Sequence, residues 1–282
     1  MVQIMKGLII LLIIFCICMI LYLWAIAPRM FRKPDIKPFF GWLYAHRGLH
    51  DNKSDAPENS MKAFSKAVDA GYGIELDIQL TKDNIPVVFH DYTLERVCGV
   101  EGNVRDYTYQ ELQQFSLCGS KERIPRFEEV LKLVAGKVPL IVELKVEWTD
   151  LSLCPVADKI LNEYQGRYCI ESFNPLAVGW YRKNRPEVVR GQLAEAFLQD
   201  DEEKYTGILY FLLQNLLMNF ISRPDFVAYN HKHTHILSRR ICSRLFKTTD
   251  VAWTIKTEQD LERAKTSFDM FIFDSFIPEI TK

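Results

Sequence analysis

The sequence predicts an α/β fold, a (β/α)8 barrel of the TIM type behind one N-terminal transmembrane helix. Three observations predict it. Between residues 42 and 274, nine strand-like segments alternate with amphipathic helices. Two of the nine form a hairpin, so one is surplus and eight remain for a parallel barrel with helical crossovers. Charged residues cluster toward the carboxyl ends of the early strands, where such barrels place their chemistry. The 282 residues are enough for this barrel and one helix. With 35 basic and 36 acidic residues, the chain offers no basic surface, and no nucleic-acid partner is expected.

The elements follow in chain order. From Gly7 to Pro28 there is no charged residue, and these 22 residues can cross about 30 Å of hydrocarbon as a helix. A cleaved signal peptide is the rival reading, but its apolar region would be shorter, with small residues placed for cleavage. Here the run is dense in Ile and Leu and ends in Ala25-Ile26-Ala27-Pro28-Arg29. Residues 1–37 therefore read as a retained membrane anchor, with its helix over about residues 7–28, and a juxtamembrane linker. Residues 38–282 read as the barrel domain. Arg29, Arg32, Lys33 and Lys37 outnumber Lys6 across the span, which places the domain in the cytoplasm at the cell membrane. Outside the anchor stand Cys98, Cys118, Cys154, Cys169 and Cys242, an odd set without regular spacing that suits free thiols in a reducing compartment.

A short apolar strand then delivers His46 and Arg47 to its carboxyl end, and Gly48 lets the chain turn. Pro57-Glu58-Asn59-Ser60 opens a helix through about Ala70, with Met61, Phe64, Ala67 and Val68 on one face. Gly71 and Gly73 close it. The stretch Gly73 to Asp91 organises the rest. Ile74, Leu76, Ile78 and Leu80 alternate with Glu75, Asp77 and Gln79, so both carboxylates project from one face of a strand. Thr81 to Asn84 reads as a turn, and Pro86 to His90 returns as the second strand of the hairpin.

Downstream, the pattern predicts helix Phe127 to Ala135 and strand Pro139 to Lys145, then helix Leu153 to Tyr164 and strand Tyr168 to Phe173. Helix Pro175 to Lys183, strand Val188 to Leu193 and strand Asp225 to Tyr229 follow. Helix Leu237 to Phe246, strand Val251 to Thr254, helix Glu258 to Thr266 and strand Met270 to Asp274 complete the chain. Gly207 to Ile221 is apolar on most faces, and reads as a buried helix or as one lying in the membrane surface beside the anchor.

Glu143 and Lys145 lie two apart on one strand face, as Glu75 and Asp77 do. Neighbouring carboxylates repel unless something positive lies between them. Three acidic oxygens suit one hard divalent cation, Mg2+ or Ca2+. Arg47 and Lys145 suit a phosphate's spare oxygens, and His46 with His90 suits proton transfer to and from a phosphate ester.

His46-Arg47-Gly48, Pro57-Glu58-Asn59-Ser60, Glu75-Leu76-Asp77, Val88-Phe89-His90-Asp91 and Glu143-Leu144-Lys145 together resemble the glycerophosphodiester phosphodiesterase family. This is a family of PI-PLC-like TIM-barrel phosphodiesterases, and the chain resembles a membrane-anchored bacterial-type member. The likeness continues through His90 to Arg96, Ile124 to Leu131, Ser172-Phe173, Trp253-Thr254 and Phe273-Asp274, covering about residues 43–277. It implies a metal-dependent hydrolase with Glu75, Asp77 and Glu143 as metal ligands and His46 and His90 as the acid/base pair. Arg47 and Lys145 would hold the phosphate. Glu58 resembles a family position beside the metal, and Trp253 one near the substrate. The chain departs from the family's usual pattern at Arg126, where Thr is frequent, and at Lys256, where Asn is frequent.

The resemblance implies cleavage of a glycerophosphodiester to glycerol phosphate and an alcohol, by water or by the substrate's own 2-hydroxyl. Two alternatives are a lysophospholipase D acting on membrane lysophospholipids and a catalytically silent membrane-bound binding barrel. His231, His233 and His235 read as a solvated loop or a second ligand set, His50 as a loop residue, and Glu171 as a strand residue facing either way.

Overall fold

In this computed structural model residues 2–199 and 206–280 are described. The strands are β1 Leu43–His46, β2 Gly73–Leu80, β3 Pro86–Val88, β4 Leu140–Leu144 and β5 Tyr168–Ser172, then β6 Arg190–Ala194, β7 Phe226–Asn230, β8 Thr249–Ile255 and β9 Met270–Phe273. They are ordered β1-β9-β8-β7-β6-β5-β4-β2, and β1 pairs with β2 to close the ring. Every pairing around the ring is parallel. β3 runs antiparallel to β2 and stays outside the count of eight. The expected barrel and its surplus hairpin strand are both present.

The helices are α1 Val2–Ile26, α2 Met61–Ala70, α3 Glu95–Cys98, α4 Tyr109–Leu112, α5 Phe127–Val134 and α6 Leu153–Glu163, then α7 Pro175–Asn184, α8 Ile208–Gln214, α9 Asn219–Ser222, α10 Leu237–Arg244 and α11 Glu258–Ala264. α1 is long and apolar enough to cross a membrane over Gln3–Ile26. α2 shows how local sequence sets the ends. The Ser60 side chain accepts the Ala63 N–H at 3.1 Å, and Gly71 closes the helix in the left-handed region at φ 78°.

β2 is buried on both faces. Ile74, Leu76 and Ile78 pack outward in the layer shared with Phe64, Phe127 and Leu140. Glu75, Asp77 and Gln79 face the barrel interior by the strand period of two. That interior is graded along its axis. Tyr44, Ile141, Cys169, Phe226 and Val251 make an apolar floor. Gly191 is needed there, because a Cβ would sit 2.0 Å from the Phe226 ring. Two residues further along their strands, Glu143 and Glu171 replace Ile141 and Cys169, and the lining turns polar toward the mouth.

The structure breaks one expected element. Gly207 to Ile221 is not a single helix but α8 and α9, separated at Leu216, whose φ is 55°. Polar side chains that look like interruptions have tertiary partners. Gln214 Oε1 accepts the Leu198 N–H at 3.0 Å, and Asn219 Nδ2 donates to the Ile26 carbonyl at 2.9 Å.

Candidate active site

Three strand ends set the site. The Arg47 N–H donates to the Glu75 carbonyl at 2.9 Å and the Phe89 N–H to the Asp77 carbonyl at 3.0 Å, so β1 and β3 bring His46 and His90 to one edge of β2. Across the other edge, the Lys145 N–H donates to the Ile78 carbonyl at 2.9 Å, and Asp77 pairs in register with Glu143. Gly48 permits the turn after β1. Its φ is 82°, and a Cβ there would meet the Ala63 carbonyl carbon at 2.9 Å. Arg47 and Asn59 hold left-handed φ values of 57° and 55°, a strained conformation for residues with side chains and one that gathers at working sites.

Glu75, Asp77 and Glu143 each present an oxygen within 4.8 Å of the others, and all three are buried. Lys145 Nζ lies 2.8 Å from Glu143 Oε1 and 3.1 Å from Asp77 Oδ1. Asn59 Nδ2 donates to Asp77 Oδ2 at 3.0 Å, with Arg47 Nε 3.7 Å from the same oxygen. Burial opposes charge at Asp77, but Lys145, His90, Arg47 and His46 outweigh it and hold the carboxyl well below its ordinary value. Burial, Asp77 and Glu143 push Glu75 well above its ordinary value. At Glu143 burial and Asp77 win over the attraction of Lys145, and the carboxyl rises to about 7. The set therefore holds more buried acid than its own cations neutralise. Hard oxygen donors in that state fit a divalent cation.

Each histidine is backed by a carboxylate. His46 Nδ1 lies 2.8 Å from Asp274 Oδ2, and His90 Nδ1 lies 2.6 Å from Asp91 Oδ1. Burial and the Arg47 charge push His46 down to about 4 against the pull of Asp274. Burial lowers His90 as well, against Asp77. Glu58 is the hub of the surrounding network. It accepts from Arg47 at 2.8 Å, from Asn52 at 2.7 Å, and from both terminal nitrogens of Arg96 at 2.8 and 2.6 Å. Arg96 also donates to Asp91 at 2.6 and 2.9 Å, tying the His90 carboxylate to Glu58. Burial opposes charge at Glu58, yet the Arg96 hydrogen bond and the Arg47 charge hold its carboxyl down at about 2. Its carboxylate thus orients Arg47 and Arg96.

An aromatic wall lines one side. Lys145 Nζ lies 6.0 Å from the Phe173 ring centre, and the Trp253 ring meets Phe173 edge-on at 5.6 Å. Trp253 Nε1 is buried without a hydrogen bond. Glu171 also faces the interior. Its Oε2 has no hydrogen-bond partner, and burial with Glu143 and Asp77 pushes it well above the ordinary range. His50, read as a loop residue, has Nε2 3.4 Å from Asp274 Oδ1 and joins His46 and Asp274 in a second donor group. His231, His233 and His235 lie beyond β7 in neither donor group, with the rings of His233 and His235 in contact. Asn59, Asp91, Arg96 and Asp274 carried no assigned role in the sequence, although each lies in a quoted motif. Asp274 could be given none because its partner His46 is 228 residues away.

The chain matches the Glycerophosphoryl diester phosphodiesterase family over residues 46–275. It is 33% identical over 247 residues to a glycerophosphodiester phosphodiesterase of Caldanaerobacter subterraneus subsp. tengcongensis, covering 82% of this chain and 93% of that protein. Among solved structures it resembles an Oleispira antarctica phosphodiesterase in complex with the product sn-glycerol-3-phosphate, with a TM-score of 0.66, 23% identity and coverage of 83% and 93%. A Thermotoga maritima glycerophosphodiester phosphodiesterase aligns with a TM-score of 0.61, 23% identity and coverage of 82% and 94%.

Proposed function

Because the chain belongs to the glycerophosphoryl diester phosphodiesterase family, and is an enzyme of that kind, we propose the reaction and residue roles that its own geometry supports. The substrate is a glycerophosphodiester, cleaved to glycerol phosphate and an alcohol. Glu75, Asp77 and Glu143 would hold Mg2+ or Ca2+. Such an ion, when bound, polarises a phosphoryl oxygen and makes the attacking hydroxyl more acidic.

The chain's own groups do the rest. Arg47 Nε is buried, donates to nothing and stands beside Asp77, so a phosphate oxygen arriving there gains a donor. Lys145 adds a compact positive charge from the neighbouring strand. One histidine takes the proton of the nucleophile and the other gives a proton to the leaving alcohol. Asp274 and Asp91 stabilise the imidazolium of whichever partner is charged. Phe173 and Trp253 offer an apolar wall to the alcohol portion. Residues 38–282 form the catalytic domain, and residues 1–37 anchor it to a membrane.

The observation that carries this reading is two carboxylate-backed histidines beside three clustered carboxylates. A second substrate class, lysophospholipids, is favoured by the exposed side chains of Ile208 and Phe211 on α8 and Leu237 on α10, in the segments that follow β6 and β7. A panel of glycerophosphocholine, glycerophosphoethanolamine, glycerophosphoglycerol and lysophosphatidylcholine tests both. Release of glycerol phosphate from the first three supports the main reading. No turnover of any of the four would refute it.

A further inference from the structure

The N-terminal helix is no loose tether, because its last turns are built into the side of the barrel. Ile26 is 0% exposed and belongs to the layer between strands and helices. Its carbonyl accepts from Asn219 Nδ2 at 2.9 Å and from Cys242 Sγ at 3.3 Å. Arg223 donates to the carbonyls of Trp24 and Ala27, and the Trp24 ring stacks on Phe220 at 5.0 Å. Cleavage after Ala27 would pull Ile26 out of that layer and open a cavity. Such packing favours a helix that stays.

The register also gives direction. α10 descends from the carboxyl end of β7, so Ser238 stands nearer the catalytic face than Cys242 does. Ile26 meets Cys242, and the Tyr22 hydroxyl, from one turn earlier in α1, lies near both Cys242 and Ser238. α1 thus runs parallel to α10, with its C-terminus toward the barrel floor. The chain beyond it agrees. The Arg29 N–H donates to the Pro224 carbonyl at 2.9 Å, and Arg29 Nη1 to the Pro186 carbonyl at 2.6 Å, both just ahead of strands β7 and β6. Followed backwards from Tyr22, α1 leaves the barrel on its catalytic side. The remaining stretch back to Gln3 spans about 28 Å at the helical rise, close to the thickness of hydrocarbon.

The catalytic rim carries exposed apolar side chains. Leu198, Ile208 and Phe211 are exposed after β6, and Leu237 after β7. Ile208 is 72% and Leu237 61% exposed. Leu237 opens α10, whose Cys242 meets Ile26, and Ile208 and Phe211 lie on α8, which leads on to α9, the element that grips the end of α1.

We propose that α1 is a retained anchor that clamps the catalytic mouth against the bilayer, with Ile208, Phe211 and Leu237 dipping into the lipid surface. The full-length chain in phosphatidylcholine vesicles tests this. A fluorescent amino acid replaces Phe211 or Leu237 at the rim, or Phe40 or Leu245 at the opposite end. Quenching by doxyl-labelled phosphatidylcholine is compared with quenching by iodide. The rim positions should be quenched severalfold more by the lipid probe than the opposite end, and the opposite end mainly by iodide. Rim positions reached by iodide alone, or opposite-end positions quenched by lipid, would overturn the proposal. Turnover of soluble glycerophosphocholine in the same vesicles tests the phosphodiesterase reading separately. Its absence counts against that reading and leaves the quenching result standing.

Discussion

Asp274→Asn probes how the barrel closes its own active site. Asp274 follows the last strand, and its Oδ2 lies 2.8 Å from Nδ1 of His46 on the first. The substitution keeps the shape and removes the charge. A hydrogen bond to a charged partner contributes about 1.5–3 kcal/mol. If that stabilisation is felt when His46 carries a proton in the transition state, its loss slows turnover by about 10- to 150-fold. The effect should fall on kcat, because Arg47 and Lys145 remain in place to bind phosphate. His46 already sits low, at about 4, through burial and Arg47, and Asp274 is what resists that. Without it the His46 pKa falls further, and any pH limb that belongs to His46 moves to lower pH. The assay is the pH profile of glycerophosphocholine hydrolysis for wild type, Asp274→Asn, His46→Ala and the double variant. The double variant should be no slower than His46→Ala, since groups acting as a unit are not additive. Asp274→Asn within threefold of wild type, or a further tenfold loss in the His46→Ala background, would refute the reasoning.

His46→Ala and His90→Ala should each lower kcat by about two or more orders of magnitude while binding of a non-hydrolysable diester survives, checked by steady-state kinetics and titration calorimetry. Glu58→Gln should act on stability as well as activity. The folded Glu58 carboxyl is held at about 2, below its ordinary 4.5, so its contribution is present above about pH 4.5 and is lost as pH falls toward 2. Removing it should cost about 3 kcal/mol at neutral pH and flatten the acid limb of stability over that window, read by circular dichroism in denaturant. An unchanged acid limb would remove Glu58 from the network that holds Arg47 and Arg96.

Much of this site was legible because its carriers are local. Glu75 and Asp77 share a face by the strand period alone, and Glu143 with Lys145 repeats the spacing one strand over. The hairpin could be read because its turn is too short for a crossover, which left eight strands for the ring. What stayed hidden depends on contacts between distant segments. Asp274 acquires meaning only when β9 closes on β1. Glu171 could face either way until register against Glu143 turned it inward. Glu58 drew notice only through its resemblance to a site beside a metal, and its carboxylate also binds two arginines from separate segments, Arg47 just after β1 and Arg96 in α3. The apolar run after residue 207 carries no internal Gly or Pro, so nothing local announced the break at Leu216. Beyond that break α9 grips the end of α1, a contact between residues 193 apart.

The central claim is that Glu75, Asp77 and Glu143 work as one divalent-cation site in a phosphodiesterase. The most direct test is glycerol phosphate release from glycerophosphocholine by the full-length chain after exhaustive chelation, then with Mg2+ or Ca2+ restored, for wild type and Glu75→Gln. The account predicts that chelation abolishes turnover, that one of the two ions restores it in wild type, and that Glu75→Gln stays inactive with either. Full turnover in excess chelator, or a Glu75→Gln variant as active as wild type, would contradict it.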